Sequence, residues 1–104
     1  MRKVTHRVCT AFVAGRACKV GNTKTDGQFL WLYGNLIAWR TPNGDISVGL
    51  AGWPTATTRE RLNGLCELLN VQAWFGQFAG AQFFGNREID PGAYFLLPIP
   101  EKAV

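Results

Sequence analysis

Residues 28–50 read QFLWLYGNLIAWRTPNGDISVGL, and they carry the alternation of a β-meander. Phe29, Trp31 and Tyr33 fall on one side of an extended strand, with Leu30 and Leu32 on the other, because successive side chains of a strand point to opposite faces. Gly34-Asn35 predicts a tight turn, since both residues tolerate positive φ. Leu36–Arg40 is the return strand, Pro42-Asn43-Gly44-Asp45 a second turn, and Ile46–Leu50 a third strand with Ile46, Val48 and Leu50 on one face. The three-stranded antiparallel meander, placed at residues 24–50, is apolar on both faces. One face can carry helices; the other must meet something else.

Before the meander, residues 3–15 have helical spacing. Val4, Val8, Ala11 and Phe12 make one apolar stripe. Lys3 and Arg7 lie four apart on one flank, His6 and Thr10 point outward, and Gly15 is the stop. Gly21–Lys24 reads as a turn. After the meander, Gly52-Trp53-Pro54 closes the sheet and a second helix spans residues 57–69. Thr57 with Glu60 fits a capping box, in which the hydroxyl and the carboxylate each satisfy a free backbone N–H. Leu62, Leu65, Cys66 and Leu69 form its buried stripe and Asn70 its stop. Gly64 sits inside this helix at a cost of ~1 kcal/mol relative to Ala, a hint of close packing or of nothing at all. Residues 71–100 hold an aromatic hairpin, Val71–Phe78 and Ala81–Phe84 around Ala79-Gly80, then a strand at Ala93–Leu97. The expected fold is α+β in a single domain over residues 1–104. An antiparallel sheet of five or six strands carries the N-terminal and mid-chain helices on one face.

Composition narrows the function. Apolar residues are 47% and charged residues 17% of 104, which excludes a disordered chain. No apolar run approaches the ~18 residues of a membrane span. Net charge is +4, with Arg2, Lys3, Arg7, Arg16, Lys19 and Lys24 all ahead of the first acid, Asp26. Cys9, Cys18 and Cys66 are an odd set without a C-x-x-C pair, which points to reduced thiols. Val8–Ala14 is too short and polar for an export signal, so a cytoplasmic location in the host is expected. His6 is the only histidine, Ser47 the only serine, and the acids are scattered singly. No nucleophile–base set, metal constellation or phosphate loop can be assembled. The expectation is a non-enzyme with no cofactor and no metal.

Three pieces of sequence form a set: Gly21-Asn22-Thr23, then Leu32-Tyr33-Gly34-Asn35-Leu36-Ile37-Ala38, then the run from Gly52-Trp53-Pro54 through Arg61-Leu62-Asn63. Together they resemble a family of small proteins of tailed bacteriophages and prophages, across about Gly21–Leu65. Those proteins share a G-N-T start, a strand–Gly-Asn–strand hairpin and a W-x-T-x-T-T-x-x-R-L-N motif. The resemblance implies a phage origin and a β-meander followed by a helix, and brings no catalytic residue with it.

The Trp53–Asn63 segment is the binding candidate, through Trp53, Thr55, Thr58, Arg59, Arg61 and Asn63, with Lys3 and Arg7 on the leading helix. Hydroxyls and arginines at a helix N-terminus suit an anion. The plainer alternative is that the threonines cap the helix and Trp53 packs beneath it, and it carries more weight. Glu60 and Glu67 on the outward face would repel phosphate and weaken a DNA-reading role. The Trp74–Phe84 stretch contains no Lys or Arg, unlike a base-stacking platform, and reads as core or a protein-contact surface. The leading expectation is stoichiometric binding to a host protein or protein–nucleic-acid complex, such as a defence or nucleic-acid-processing assembly. A direct nucleic-acid binder and a self-associating virion or assembly component are the alternatives.

Overall fold

The computed structural model describes residues 1–100. Helix α1 (Lys3–Val13) leads into five consecutive strands, β1 (Cys18–Val20), β2 (Thr23–Thr25), β3 (Phe29–Leu32), β4 (Asn35–Arg40) and β5 (Ile46–Gly49). Helix α2 (Ala56–Leu68) follows, then β6 (Phe75–Phe78), β7 (Ala81–Phe84), β8 (Arg87–Ile89) and β9 (Tyr94–Leu96). The fold is α+β. A six-stranded antiparallel sheet has the order β1-β2-β3-β4-β5-β9, and β6-β7-β8 form a separate three-stranded antiparallel sheet.

Several local expectations need correction. Gly21–Lys24 is not all turn: Val20 pairs with Thr23 and Lys19 with Lys24, which adds β1 and β2 to the meander. The β3–β4 turn is centred one residue earlier than expected. Tyr33 and Gly34 take positive φ (51° and 78°) while Asn35 already pairs with Leu32. Tyr33 therefore leaves the strand face and points out from the turn. The chain also adds β8, which the alternation did not predict.

Both helices end where predicted, by the same device. Gly15 (φ 74°) and Asn70 (φ 58°) are left-handed. The following amides, Arg16 N and Val71 N, reach back to Ala11 O at 2.8 Å and Cys66 O at 2.9 Å, the double closure of a Schellman motif. Arg40 reinforces the end of α1, donating to Phe12 O at 3.0 Å and Val13 O at 3.3 Å, where a cation meets the negative end of the helix dipole.

The start of α2 differs from the capping-box expectation. Thr55, not Thr57, is the N-cap and accepts from Thr58 N at 3.2 Å. Glu60 turns instead toward Thr5 and Arg61.

The core lies between the inner face of the large sheet and the two helices. Leu30, Ala38 and Val48 meet Val8, Phe12, Leu62, Leu65 and Cys66 there, all buried. A β-bulge between β3 and β4 shifts the register at Leu30/Trp31. Both Ile37 and Ala38 are consequently buried, where strict alternation would expose one. The small sheet closes the far end: Phe75 and Phe84 pack at 4.9 Å, each within 6 Å of Phe95 on β9.

Candidate functional site

The candidate residues separate into a cleft, two structural anchors and one buried network. Trp53 follows Ala51 and Gly52, both left-handed (φ 55° and 75°). The reversal is pinned by Gly52 N donating to Pro91 O and Trp53 N to Leu50 O, each at 2.8 Å. Trp53 is thrown outward and is 58% exposed. Opposite stands Tyr33, 71% exposed on its turn. Between them lies a cleft of about 450 Å³, floored by Leu32, Ile37 and Leu50 and edged by Thr55, Thr57 and Thr58. The walls are aromatic, the floor aliphatic and no charged residue lines it.

The cleft unites Trp53, Thr55 and Thr58 of the predicted set. Its threonines are committed, however: the hydroxyls of Thr55 and Thr58 bond each other at 3.0 Å and Thr58 is buried. Thr55 caps the helix, as the plainer reading of the sequence expected of the threonines, but Trp53 does not pack beneath it.

Arg59 and Asn63 lie outside the cleft and tie α2 to the small sheet. Arg59 donates to Pro54 O at 2.9 Å and to Gln82 Oε1 at 3.0 Å. Asn63 clasps the backbone of Phe75, donating to its carbonyl at 3.0 Å and accepting from its amide at 2.7 Å. Lys3 and Arg7 are exposed on α1.

Arg61 is the largest departure from expectation. It is 3% exposed, so it meets no outside anion. Its Nε donates to Thr23 Oγ1 at 2.9 Å and its terminal nitrogen to Thr5 Oγ1 at 3.0 Å, while the same nitrogen pairs with Glu60. Thr5 Oγ1 donates to the Glu60 carboxylate, and Arg2 N reaches its other oxygen at 3.4 Å. This network joins α1, α2 and β2. Burial works to raise the Glu60 pKa; the hydrogen bonds from Thr5 and Arg2, with those and the charge of Arg61, outweigh it and hold the carboxyl below its ordinary value.

The thiols of Cys9 and Cys66 are buried, and burial pushes both up to about 12; Cys18 is half-buried. His6 is exposed on α1. Among the described residues no group of three or more His, Cys, Asp or Glu converges, and no helix is long and apolar enough to cross a membrane.

A second surface lies on the face of the meander that the helices leave uncovered, which the sequence reading expected to meet something else; its lysine was not foreseen. On the outer face of the large sheet Phe29 pairs with Trp39 and Lys24 with Trp31. The Lys24 ammonium lies 5.2 Å from the Trp31 ring. Trp39 stacks on Tyr94 at 5.3 Å and 18° between planes, and the Tyr94 hydroxyl donates to Leu36 O at 2.6 Å. The signal for its aromatic half was the period-two placement of Phe29 and Trp31; Lys24 joins them by pairing across β2 and β3, which the turn reading of Gly21–Lys24 hid.

Compared with known proteins, residues 1–95 match the family described as Kyanoviridae Gp96 protein. No curated protein and no solved structure matches the chain.

Proposed function

We propose that this chain, which belongs to the Kyanoviridae Gp96 protein family of phage proteins, works without chemistry of its own, by stoichiometric binding to a host protein or protein–nucleic-acid complex. The observation that carries this reading is the cleft between Tyr33 and Trp53. Two large aromatic side chains stand open to solvent over an aliphatic floor, in a small chain whose core does not use them. Burial of aromatic anchors in a desolvated pocket is how protein interfaces concentrate their binding energy. The cleft suits an apolar side chain presented by a partner, and its lining offers a phosphate no cation. The groups that would do chemistry favour the same reading. Two thiols are buried with raised pKa values, and the buried arginine and its carboxylate saturate one another.

The test is affinity capture from nuclease-treated host lysate with the wild-type chain and the Tyr33→Ala and Trp53→Ala variants. Trp74→Ala, an equally exposed aromatic outside the cleft, is the control. A defined protein should be retained by the wild type and the control. Loss of a hot-spot anchor should weaken purified partner binding by about thirtyfold or more. Capture of nothing, capture abolished by nuclease, or affinity unchanged in both cleft variants would overturn the reading.

A further inference from the structure

We propose that the outer face of the six-stranded sheet binds single-stranded nucleic acid, at a site that adjoins the Tyr33–Trp53 cleft and shares Tyr33 with it, but whose Lys19, Lys24 and Trp31 the cleft does not use. The face carries its own cavity of about 360 Å³, lined by Lys19, Asn22, Lys24, Trp31 and Tyr33. Lys19 and Lys24 are directly paired across β1 and β2, so two ammonium groups share one side of the sheet. Beside them Trp31 supplies an aromatic surface, and Phe29 continues it at 5.7 Å. One strand further, Trp39 and Tyr94 form a stacked pair.

The aromatic surface thus runs from β3 across β4 and β5 to β9. At ~4.8 Å between neighbouring strands it extends about 14 Å, more than one base can cover.

Charge selects the occupant. None of the six strands of this sheet contains Asp or Glu, while β1 and β2 each present an outward lysine. The β2–β3 turn holds one acid, Asp26; the amides of Phe29 and Gln28, at 2.8 and 2.9 Å, hold its carboxyl below the ordinary pKa, so it stays charged, and the two lysines outnumber it. An apolar protein surface would gain little from two exposed lysines that form no salt bridge among the described residues, one of them over the tryptophan ring. A strand of nucleotides uses both features, stacking bases on the rings and setting phosphates against the ammonium groups. A duplex keeps its bases paired and stacked, and so offers only its backbone to this face.

The experiment is fluorescence anisotropy of a labelled oligothymidylate with the full chain over a salt series, with duplex DNA and thymidine monophosphate as competitors. Oligothymidylate should bind at low salt and outcompete both. The double variant Lys19→Gln/Lys24→Gln should reduce the steepness of log affinity against log salt by about 1.4, the single-strand value for two phosphates. Trp31→Leu, which keeps an apolar side chain on the strand, should weaken binding about fivefold or more and remove part of the tryptophan quenching. Thermal unfolding of each variant checks that the fold is retained, and the lysine variants alter only exposed side chains. No binding at low salt, preference for duplex, a salt slope unchanged in the lysine variant, or a loss produced instead by Lys3→Gln/Arg7→Gln on α1 would overturn the proposal.

Discussion

Gly64→Ala is a substitution that ordinary helix rules predict to stabilise and this structure predicts to harm. In the middle of an exposed helix the change gains ~1 kcal/mol. Here a Cβ on Gly64 would overlap Thr5 Cγ2 outright and come within 3.3 Å of Met1 Sδ. Thr5 cannot swing aside, because it is fully buried and its hydroxyl is held between the Glu60 carboxylate and Arg61. Forcing a methyl into such a contact costs about 1–3 kcal/mol, and loosening the Thr5 hydrogen bonds adds about 1 kcal/mol. Set against the helix gain, the variant should lose about 1–3 kcal/mol. At roughly 4–8 °C per kcal/mol for a chain of this size, Tm should fall by about 10 °C. Thr5→Ser removes Cγ2 and keeps the hydroxyl. In that background Gly64→Ala should become neutral or favourable, giving a double-mutant coupling of about 1 kcal/mol or more. A Gly64→Ala variant with raised Tm, or no coupling to Thr5→Ser, would refute the close approach of α1 and α2 at this point.

Arg61→Met should keep much of the side-chain volume yet lower stability by about 3 kcal/mol, read from the urea midpoint, because Glu60 and two buried hydroxyls lose their partner; an unchanged midpoint would contradict the network. Glu60 has a folded pKa held below its ordinary value, so the stability it contributes is complete above the unfolded carboxyl range and is lost as pH falls through the folded pKa. Denaturation between about pH 5 and pH 3 should therefore be shallower in Glu60→Gln, which is less stable at neutral pH; parallel profiles would exclude the linkage. Under native conditions near neutral pH, a thiol reagent should label Cys18 alone, since burial pushes Cys9 and Cys66 up to about 12. All three should react in denaturant, and rapid native labelling of more than one would show the core to be open.

What could be read from the sequence follows the length of each pattern. Residues 28–50 carried enough alternation to place β3, β4 and β5, and Gly15 and Asn70 marked both helix ends because the left-handed region selects few residues. Strands β1, β2 and β8 have three residues each, too few for a period to declare itself, so their pairing depends on what lies beside them; β9 is as short and was legible only because its apolar run lies between Pro91-Gly92 and Pro98. The start of α2 offers hydroxyls at Thr55, Thr57 and Thr58, and the cap is Thr55, whose backbone is still extended (φ −90°, ψ 160°) where the helix begins. Glu60 had a local role available and a better tertiary one. Arg61 looked like surface charge, and only the approach of Thr5 and Thr23 makes its burial tolerable. The cleft was half legible: Trp53, Thr55 and Thr58 were singled out, while Tyr33 was assigned to a strand face. A one-residue difference in the turn moved it to the cleft wall.

The two faces of the large sheet answer to different demands. Inner-face residues are consumed by folding: Leu30, Ala38 and Val48 are completely buried beneath the helices. The outer face does not need Phe29, Trp31, Trp39 and Tyr94 to fold, since cross-strand aromatic pairs add only about 0.2–1 kcal/mol each and an exposed antiparallel face normally carries polar residues. Retaining such a face exposes a chain to self-association, yet the edges of this sheet are the three-residue strands β1 and β9, short enough to discourage edge-to-edge pairing. With its edges curtailed and its face left aromatic and cationic, the sheet offers a surface across its strands rather than a template along them. Stacking and phosphate pairing meet that geometry, whereas addition of a further strand does not.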